Sequence, residues 1–299
     1  MRWLPRVADP VALDTAWLKA NPLPDHHDNI DKNGRGRVLV IGGSRRVPGG
    51  MLLTAEAAFR AGAGKVTIAT IASAAIPIGI AFPACAVLSL PETAQGEISP
   101  ESAELLVAEM AGHDAIVFGP AMTDEQSVEA LLSALLPALP DEMFLLLDAF
   151  ALRAAPKHAS AIAGRARHIV LTPHEGELAA LLETDKNAVT KDPVGALRQA
   201  YERYRATIMV KGATSHLIAE DMCLAYAGGG VGLAMSGSGD VLAGLIAGLG
   251  AQGLPPQQAA AWGIWMHGEA GRRLGETMGP IGYLARELPP LVPSLMRGI

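Results

Sequence analysis

From position 37 onward the chain alternates between two patterns. Short runs are mostly apolar, without strict alternation: RVLVI at 37–41, KVTIAT at 65–70, CAVLSL at 85–90, AIVFG at 115–119, MFLLLD at 143–148, HIVLT at 168–172 and TIMVKG at 207–212. Between them lie stretches with helical spacing of apolar positions, at 51–61, 101–110, 124–136, 175–182 and 193–205. SHLIA and MCLAY, on either side of Glu220–Asp221, read as an antiparallel hairpin, and three helices at 240–250, 256–274 and 283–297 finish the chain. Strands without alternation are buried on both faces, and strands separated by helices pair in parallel. The pattern therefore predicts an α/β fold of three layers, a mostly parallel central sheet with helices on both faces. Residues 1–36 are polar and proline-rich, with a short helix expected at 13–20; they read as an arm on a single domain spanning 37–299.

Composition supports this. Half of the 299 residues are hydrophobic and 18% are charged, a balance for a folded core rather than disorder. The net charge is −6 and no basic patch exists, which argues against nucleic-acid binding. Residues 66–90 carry no charge and are long enough to span a bilayer. Pro77, Gly79 and Pro83 interrupt them, so strand, small-residue crossover, strand is the expected reading, with no membrane span. Cys85 and Cys223 are far apart in apolar surroundings and read as reduced core thiols. The first residues have no apolar signal region, and a cytoplasmic location is expected. His26–His27 beside Asp28 lacks further ligands at metal-binding spacing and reads as a solvated segment.

In open α/β sheets, ligands bind beyond the carboxyl ends of the strands. Six such ends carry glycine, proline or charge: GGSRRVPGG at 42–50, GPAM at 119–122, Asp148, PHEGE at 173–177, KGATS at 211–215 and GGGVGLAMSGSGD at 228–240. Together they suggest one shared crevice. A P-loop is excluded, since Gly64–Lys65 is followed by valine; a Rossmann fingerprint is excluded, since Gly237 and Gly239 lack the third glycine at 242. SGSGD still has phosphate chemistry. Backbone N–H groups at a helix start favour an anion, and glycines allow its close approach. Asp240 beside that hole could accept a proton from a hydroxyl attacking phosphorus, or could be a plain N-cap.

Taken together, GRVLVIGGSRRVPGG with AAFRAGAGKVTIAT, LTPHEGELAALL, VKGATSHLIA and GLAMSGSGDVLAGLIAGLGAQGL resemble the ADP/ATP-dependent NAD(P)H-hydrate dehydratases, in family order across 37–268. The resemblance implies a ribokinase-like fold and repair of NADH or NADPH hydrated at C6 of the nicotinamide ring. ADP or ATP would phosphorylate the C6 hydroxyl, with Mg2+ expected, and the ring nitrogen would expel phosphate. It implies that Asp240 activates the hydroxyl and that Gly237, Ser238 and Gly239 form the anion hole. Lys211, Gly212, Ala213, Thr214 and Ser215 would lie along the nucleotide. Gly50, Gly119, Ala121 and His174 would meet the hydrate. A homo-oligomer, dimer or tetramer, and a functional link to a separate NAD(P)H-hydrate epimerase complete the expectation, because 36 residues cannot hold an epimerase domain.

Plain structural roles stand beside these. His174 could cap the helix after Pro173, Lys211 could be a snorkelling surface residue, and Glu175 and Glu177 could serve the helix dipole. The sequence also departs from the family: GPAMT for GPGLG puts a methyl at Ala121, DAF for DAD puts Phe150 for an acid, Ser215 stands for threonine, and Met235 replaces another threonine. A kinase of a small hydroxylated heterocycle, or a nucleotide-binding protein without turnover, are the alternative readings.

Overall fold

The computed structural model describes residues 9–24, 31–220 and 222–299. Ten strands form one sheet: β1 (Val11–Ala12), β2 (Arg37–Ile41), β3 (Lys65–Ile71), β4 (Ala86–Leu90), β5 (Ala115–Phe118), β6 (Phe144–Leu147), β7 (Ile169–Leu171), β8 (Thr207–Val210), β9 (Ser215–Ala219) and β10 (Met222–Tyr226). Their order is β1-β10-β9-β8-β7-β6-β5-β2-β3-β4. All neighbours pair in parallel except at β9, which runs antiparallel to both β8 and β10. Each apolar run expected as a strand is one. The central strands β5, β6 and β8 are buried at every position, which is why their sequences do not alternate.

The chain order explains where a crevice opens. β2, β3 and β4 follow one another to one edge; the chain then returns so that β5 pairs with the free side of β2. That reversal separates the segments leaving β2 and β5, the place where open sheets take ligands. The Gly50–Arg60 and Ser238–Ala251 helices cover the sheet beside it and pack closely on each other. A side chain at Gly244 would meet the Thr54 carbonyl oxygen at 2.1 Å, and one at Gly248 would meet that of Ala58 at 2.6 Å. Small residues there let two backbones touch, which holds the Ser238 end firmly against Gly50.

Some expectations hold and others change. The 66–90 run is two strands and a small-residue crossover, as expected, and the crossover is a helix at Ala72–Ala81 with Pro77 accommodated inside it. Among the described residues no helix is long and apolar enough to cross a membrane. The final stretch is not one helix. Pro289, Pro290 and Pro293 break it into 3-10 turns at Ala285–Glu287 and Pro289–Leu291 and a short helix at Val292–Met296, because proline cannot donate within a helix. The arm does hold a helix, at Thr15–Ala20, capped by Asp14. It also adds β1 to the sheet edge, and Asn21 accepts a bond from the Trp262 indole at 2.8 Å. The His26–His27 pair lies outside the described residues. Both cysteines are free; burial pushes the Cys85 thiol up to about 12.

Candidate active site

The β2 and β5 ends form one wall of the crevice. Gly43 N–H donates to the Pro120 carbonyl at 3.0 Å, and Gly119 N–H donates to that of Ile41 at 3.2 Å. Gly119 has φ 114°, and any side chain there would strike the Asp148 carbonyl oxygen at 2.2 Å. Ala121 follows with φ 56°, a conformation that glycine adopts more readily. Its methyl faces Gly50: a Cβ built on Gly50 would sit 2.9 Å from Ala121 Cβ and 3.7 Å from Asp240 Oδ2. Gly50, Ala121 and Asp240 are thus packed together.

The β6, β7 and β8 ends bring the charges. Asp148, buried at the end of β6, accepts on Oδ1 from the Thr172 hydroxyl at 2.8 Å and from Lys211 Nζ at 2.9 Å. Glu177 Oε2 lies 3.9 Å from the same ammonium. Lys211 N–H donates to the Pro173 carbonyl, and a parallel bridge joins Lys211 to His174, so the two strand ends are sewn together. Lys211 is therefore no snorkelling surface residue. His174 does cap the Glu175–Leu181 helix: Nδ1 accepts from the N–H groups of Gly176 (2.9 Å) and Glu177 (3.3 Å), while Glu177 closes the box on His174 N–H. The other ring nitrogen, Nε2, stands 3.3 Å from Glu177 Oε1. Gly212, Ala213 and Thr214 form the bend between β8 and β9, and Ser215 opens β9.

The third side is the Ser238–Ala251 helix. Its N-cap is Gly237 in the left-handed region (φ 87°), where a side chain would also strike Leu53 at 2.5 Å. Asp240 is therefore not an N-cap; it sits in the first turn. Ser238 begins the helix, and its Oγ lies 2.9 Å from Nε2 of His267 on the Pro256–Thr277 helix. At Gly239 an added Cβ would face the site, 3.5 Å from Lys211 Nζ and 3.9 Å from Asp148 Oδ2. A helix start, one ammonium and two carboxylates thus share a small volume.

Their proton affinities follow from that crowding. Burial, then the Asp148 charge, push the Asp240 carboxyl up to about 7, with Lys211 opposing. Burial works against the Lys211 ammonium, but Asp148, Glu177 and Asp240 outweigh it and hold it above the usual lysine range. Burial depresses His267 to about 4, so at neutral pH its ring is uncharged. In the tautomer with Nε2 bare, it accepts the Ser238 hydroxyl proton.

Of the expected residues, Gly50, Ala121, Lys211, Gly239 and Asp240 are brought together, Gly119 lies at the β5 end beside them, His174 is bridged to Lys211, Gly237 and Ser238 begin the third side, and Gly212–Ser215 lead away from Lys211 into β9. Three participants were not singled out as site residues. Asp148 had a signal, a charge directly after an apolar strand. Glu177 had the weaker reading of a first-turn acid. His267 had none, since it is one polar residue on a long helix 29 positions from its partner. Phe150, at the position of the family's second acid, packs on the core with the Arg153 guanidinium 5.0 Å over its ring. Among the described residues no group of three or more His, Cys, Asp or Glu could hold a metal ion alone.

A parallel sheet with a reversal at the site, closed by a glycine-bounded helix start, is the architecture of the ribokinase-like class. A ribokinase-like superfamily protein from Enterococcus faecalis superposes with a TM-score of 0.80 at 23% identity, covering 92% of both chains. The sequence profile of the NAD(P)H-hydrate dehydratases matches residues 38–293, and the chain belongs to that family. It is 44% identical over 282 residues to the ADP-dependent (S)-NAD(P)H-hydrate dehydratase of Xanthomonas campestris, covering 94% of both sequences. It also resembles in fold the ADP/ATP-dependent NAD(P)H-hydrate dehydratase of Bacillus subtilis co-crystallized with ATP/Mg2+, with a TM-score of 0.75, 24% identity and 93% and 95% of the chains covered.

Proposed function

We propose that the protein restores NADH or NADPH from the 6-hydroxy hydrate, using ADP or ATP as phosphoryl donor. The observation that carries this reading is the place of Asp240. Its carboxylate faces the Gly50–Ala121 wall on one side, while the adjoining Gly239 faces the Lys211 ammonium on the other. A hydroxyl presented along Gly50, Gly119 and Ala121 meets a base, and a phosphate over the helix start meets backbone N–H groups and a cation.

The chemistry then balances. Asp240 takes the C6 hydroxyl proton as its oxygen attacks the terminal phosphorus, and the bond to the departing nucleotide breaks, giving AMP from ADP. Lys211 and the N–H groups beginning at Gly237 hold the charge that moves with the phosphoryl group. The ring nitrogen lone pair expels phosphate with the C6 oxygen, and loss of a C5 proton restores the ring double bond. An acid titrating near 7 suits the first step, since a base is most effective close to the working pH. His174, fixed by its cap, offers Nε2 to the hydrate; Lys211–Ser215 line the nucleotide. Mg2+ is part of the proposal. It commonly takes one or two carboxylates plus substrate phosphates, where it neutralises phosphate charge. Asp148, whose Oδ2 faces Gly239, fits as the carboxylate.

The relative's substrate is the (S) hydrate, so we also propose a link to an activity that inverts C6 of the other epimer. A homo-oligomer is proposed as well, supported by the exposed Ile281 and Leu284 near the C-terminus. A cytoplasmic setting fits two free thiols. The test is recovery of reduced-nicotinamide absorbance from the hydrate, with ADP and then ATP. Restored cofactor with stoichiometric phosphate supports the reading. Accumulation of a phosphorylated product instead contradicts it and favours a heterocycle kinase.

A further inference from the structure

Both donors of Ser238 are used inside the fold. Its N–H donates to the Met235 carbonyl at 3.3 Å, and its Oγ lies 2.9 Å from Nε2 of His267. The helical ladder starts with the Val241 N–H on the Gly237 carbonyl, at 3.1 Å. Between these two bonds stand the N–H groups of Gly239 and Asp240. They have no partner among the described residues, as is usual for the first turn of a helix. Gly239 is also the residue whose Cβ position looks onto Lys211 Nζ and Asp148 Oδ2. Ser238 is thus a pin rather than an anion contact. We infer that His267 is a positioning residue for phosphoryl transfer: by holding the Ser238 hydroxyl it fixes the helix start, so that the Gly239 and Asp240 N–H groups meet the phosphoryl group and the Asp240 carboxylate meets the attacking hydroxyl. The inference rests on the dehydratase reading and adds to it a residue that none of the sequence motifs includes.

The helix that carries His267 is seated on both sides of the pin. One turn before it, a side chain at Gly263 would meet Ile246 at 2.4 Å, so the Pro256–Thr277 helix lies directly on the Ser238–Ala251 helix. Immediately after it, a side chain at Gly268 would strike the Tyr226 ring at 2.1 Å, and the Cβ position of Gly229 is 3.2 Å from Gly268 Cα. The same helix therefore also grips the segment that leads into Gly237. Neither neighbour leaves room for His267 to follow a shifted serine. Burial first, and the Lys211 charge after it, keep the ring uncharged against a backbone hydrogen bond with Ser238. A neutral ring holds the serine without drawing the phosphoryl group toward itself. Asp240 is two residues further on, so a rotation at Ser238 swings the base and the two N–H groups together. Displacements of about 1 Å at a reacting centre are costly in rate. A bond that merely satisfied a buried hydroxyl would instead show in stability alone.

The experiment measures recovery of reduced cofactor from the hydrate with ADP, in the wild type, His267→Leu, His267→Gln, Ser238→Ala and the double variant His267→Leu/Ser238→Ala. All are assayed well below their melting temperatures. His267→Leu should lower kcat by about tenfold or more with the KM for ADP little changed. His267→Gln, which places a polar group near the position of Nε2, should retain most of kcat. Ser238→Ala should match His267→Leu, and the double variant should be no slower than either, because both remove one bond. Wild-type kcat in His267→Leu overturns the inference, whatever its melting temperature. Losses that multiply in the double variant also overturn it, since His267 would then not act through Ser238. If His267→Leu does not fold, Ser238→Ala, the smaller change, decides: a tenfold loss of kcat supports the inference and wild-type kcat overturns it. These failures leave the dehydratase reading standing. A wild-type protein that restores no cofactor sinks that reading, and the role of His267 with it.

Discussion

Lys211 Nζ lies 2.9 Å from Asp148 Oδ1, and the Thr172 hydroxyl donates to the same oxygen at 2.8 Å. The pair joins the ends of β6, β7 and β8 beneath the Ser238–Ala251 helix. It keeps a cation at the helix start and a negative charge near Asp240. Both carboxylates act on one ammonium, so a change at any of the three is felt by the other two.

That coupling gives a pH prediction. Asp240 must be ionised to act as a base, so activity rises with pH through about 7. The Asp148 charge is one cause of that elevated value. Asp148→Asn removes it and lowers the Asp240 pKa, so the acid limb of the kcat profile moves to lower pH. A limb that stays in place, or moves upward, contradicts the coupling.

Gly50 and Ala121 divide one small space. Gly50→Ala alone forces two methyl groups to 2.9 Å and should cost about 1–3 kcal/mol, the usual range for overpacking. Ala121→Gly alone removes a methyl and relieves the φ 56° conformation. The double variant should recover most of the loss, with a coupling of about 1 kcal/mol or more in a thermodynamic cycle measured by denaturant unfolding. Additive effects would show that the residues do not meet.

Gly239→Ala tests the anion hole with little change to the fold. The new methyl stands in ordinary contact with Lys211, 3.5 Å from Nζ, but on the side where the phosphoryl group is to sit. Turnover should fall by about tenfold or more while the melting temperature stays within a few degrees, since small steric displacements at a reacting centre are costly. Unchanged turnover would place the phosphate elsewhere.

His267 gives a stability prediction with a definite sign. Its folded pKa, about 4, lies below the ordinary 6.5, so the unfolded chain binds the proton more readily. Its contribution is complete above pH 6.5 and is lost as pH falls toward 4. His267→Gln should flatten the melting temperature across that interval relative to the wild type. Parallel curves would show that the ring is not held neutral.

Much of this was legible in the sequence because parallel strands announce themselves as apolar runs and their ends as glycine and charge. The shared crevice was legible in six strand ends that carry glycine, proline or charge, whereas the order of the strands has no signature in any single run. Asp148 was visible as an acid after MFLLL, but its pairing with Lys211 joins residues 63 positions apart and has no local signature. The left-handed backbone of Ala121 and Ala149 (φ 51°) was hidden because alanine seldom adopts it; the fold imposes it through the tight turns after β5 and β6. The last segment failed as a helix because its apolar spacing was weighed and its prolines were not.

The base itself is tested most directly by Asp240→Asn, a substitution of nearly the same shape. Single-turnover recovery of reduced cofactor from the hydrate should slow by about 10²–10⁴-fold, the usual worth of a positioned base, while ADP affinity changes little. Wild-type rates in the variant, or a loss explained wholly by weaker ADP binding, would contradict the role of Asp240.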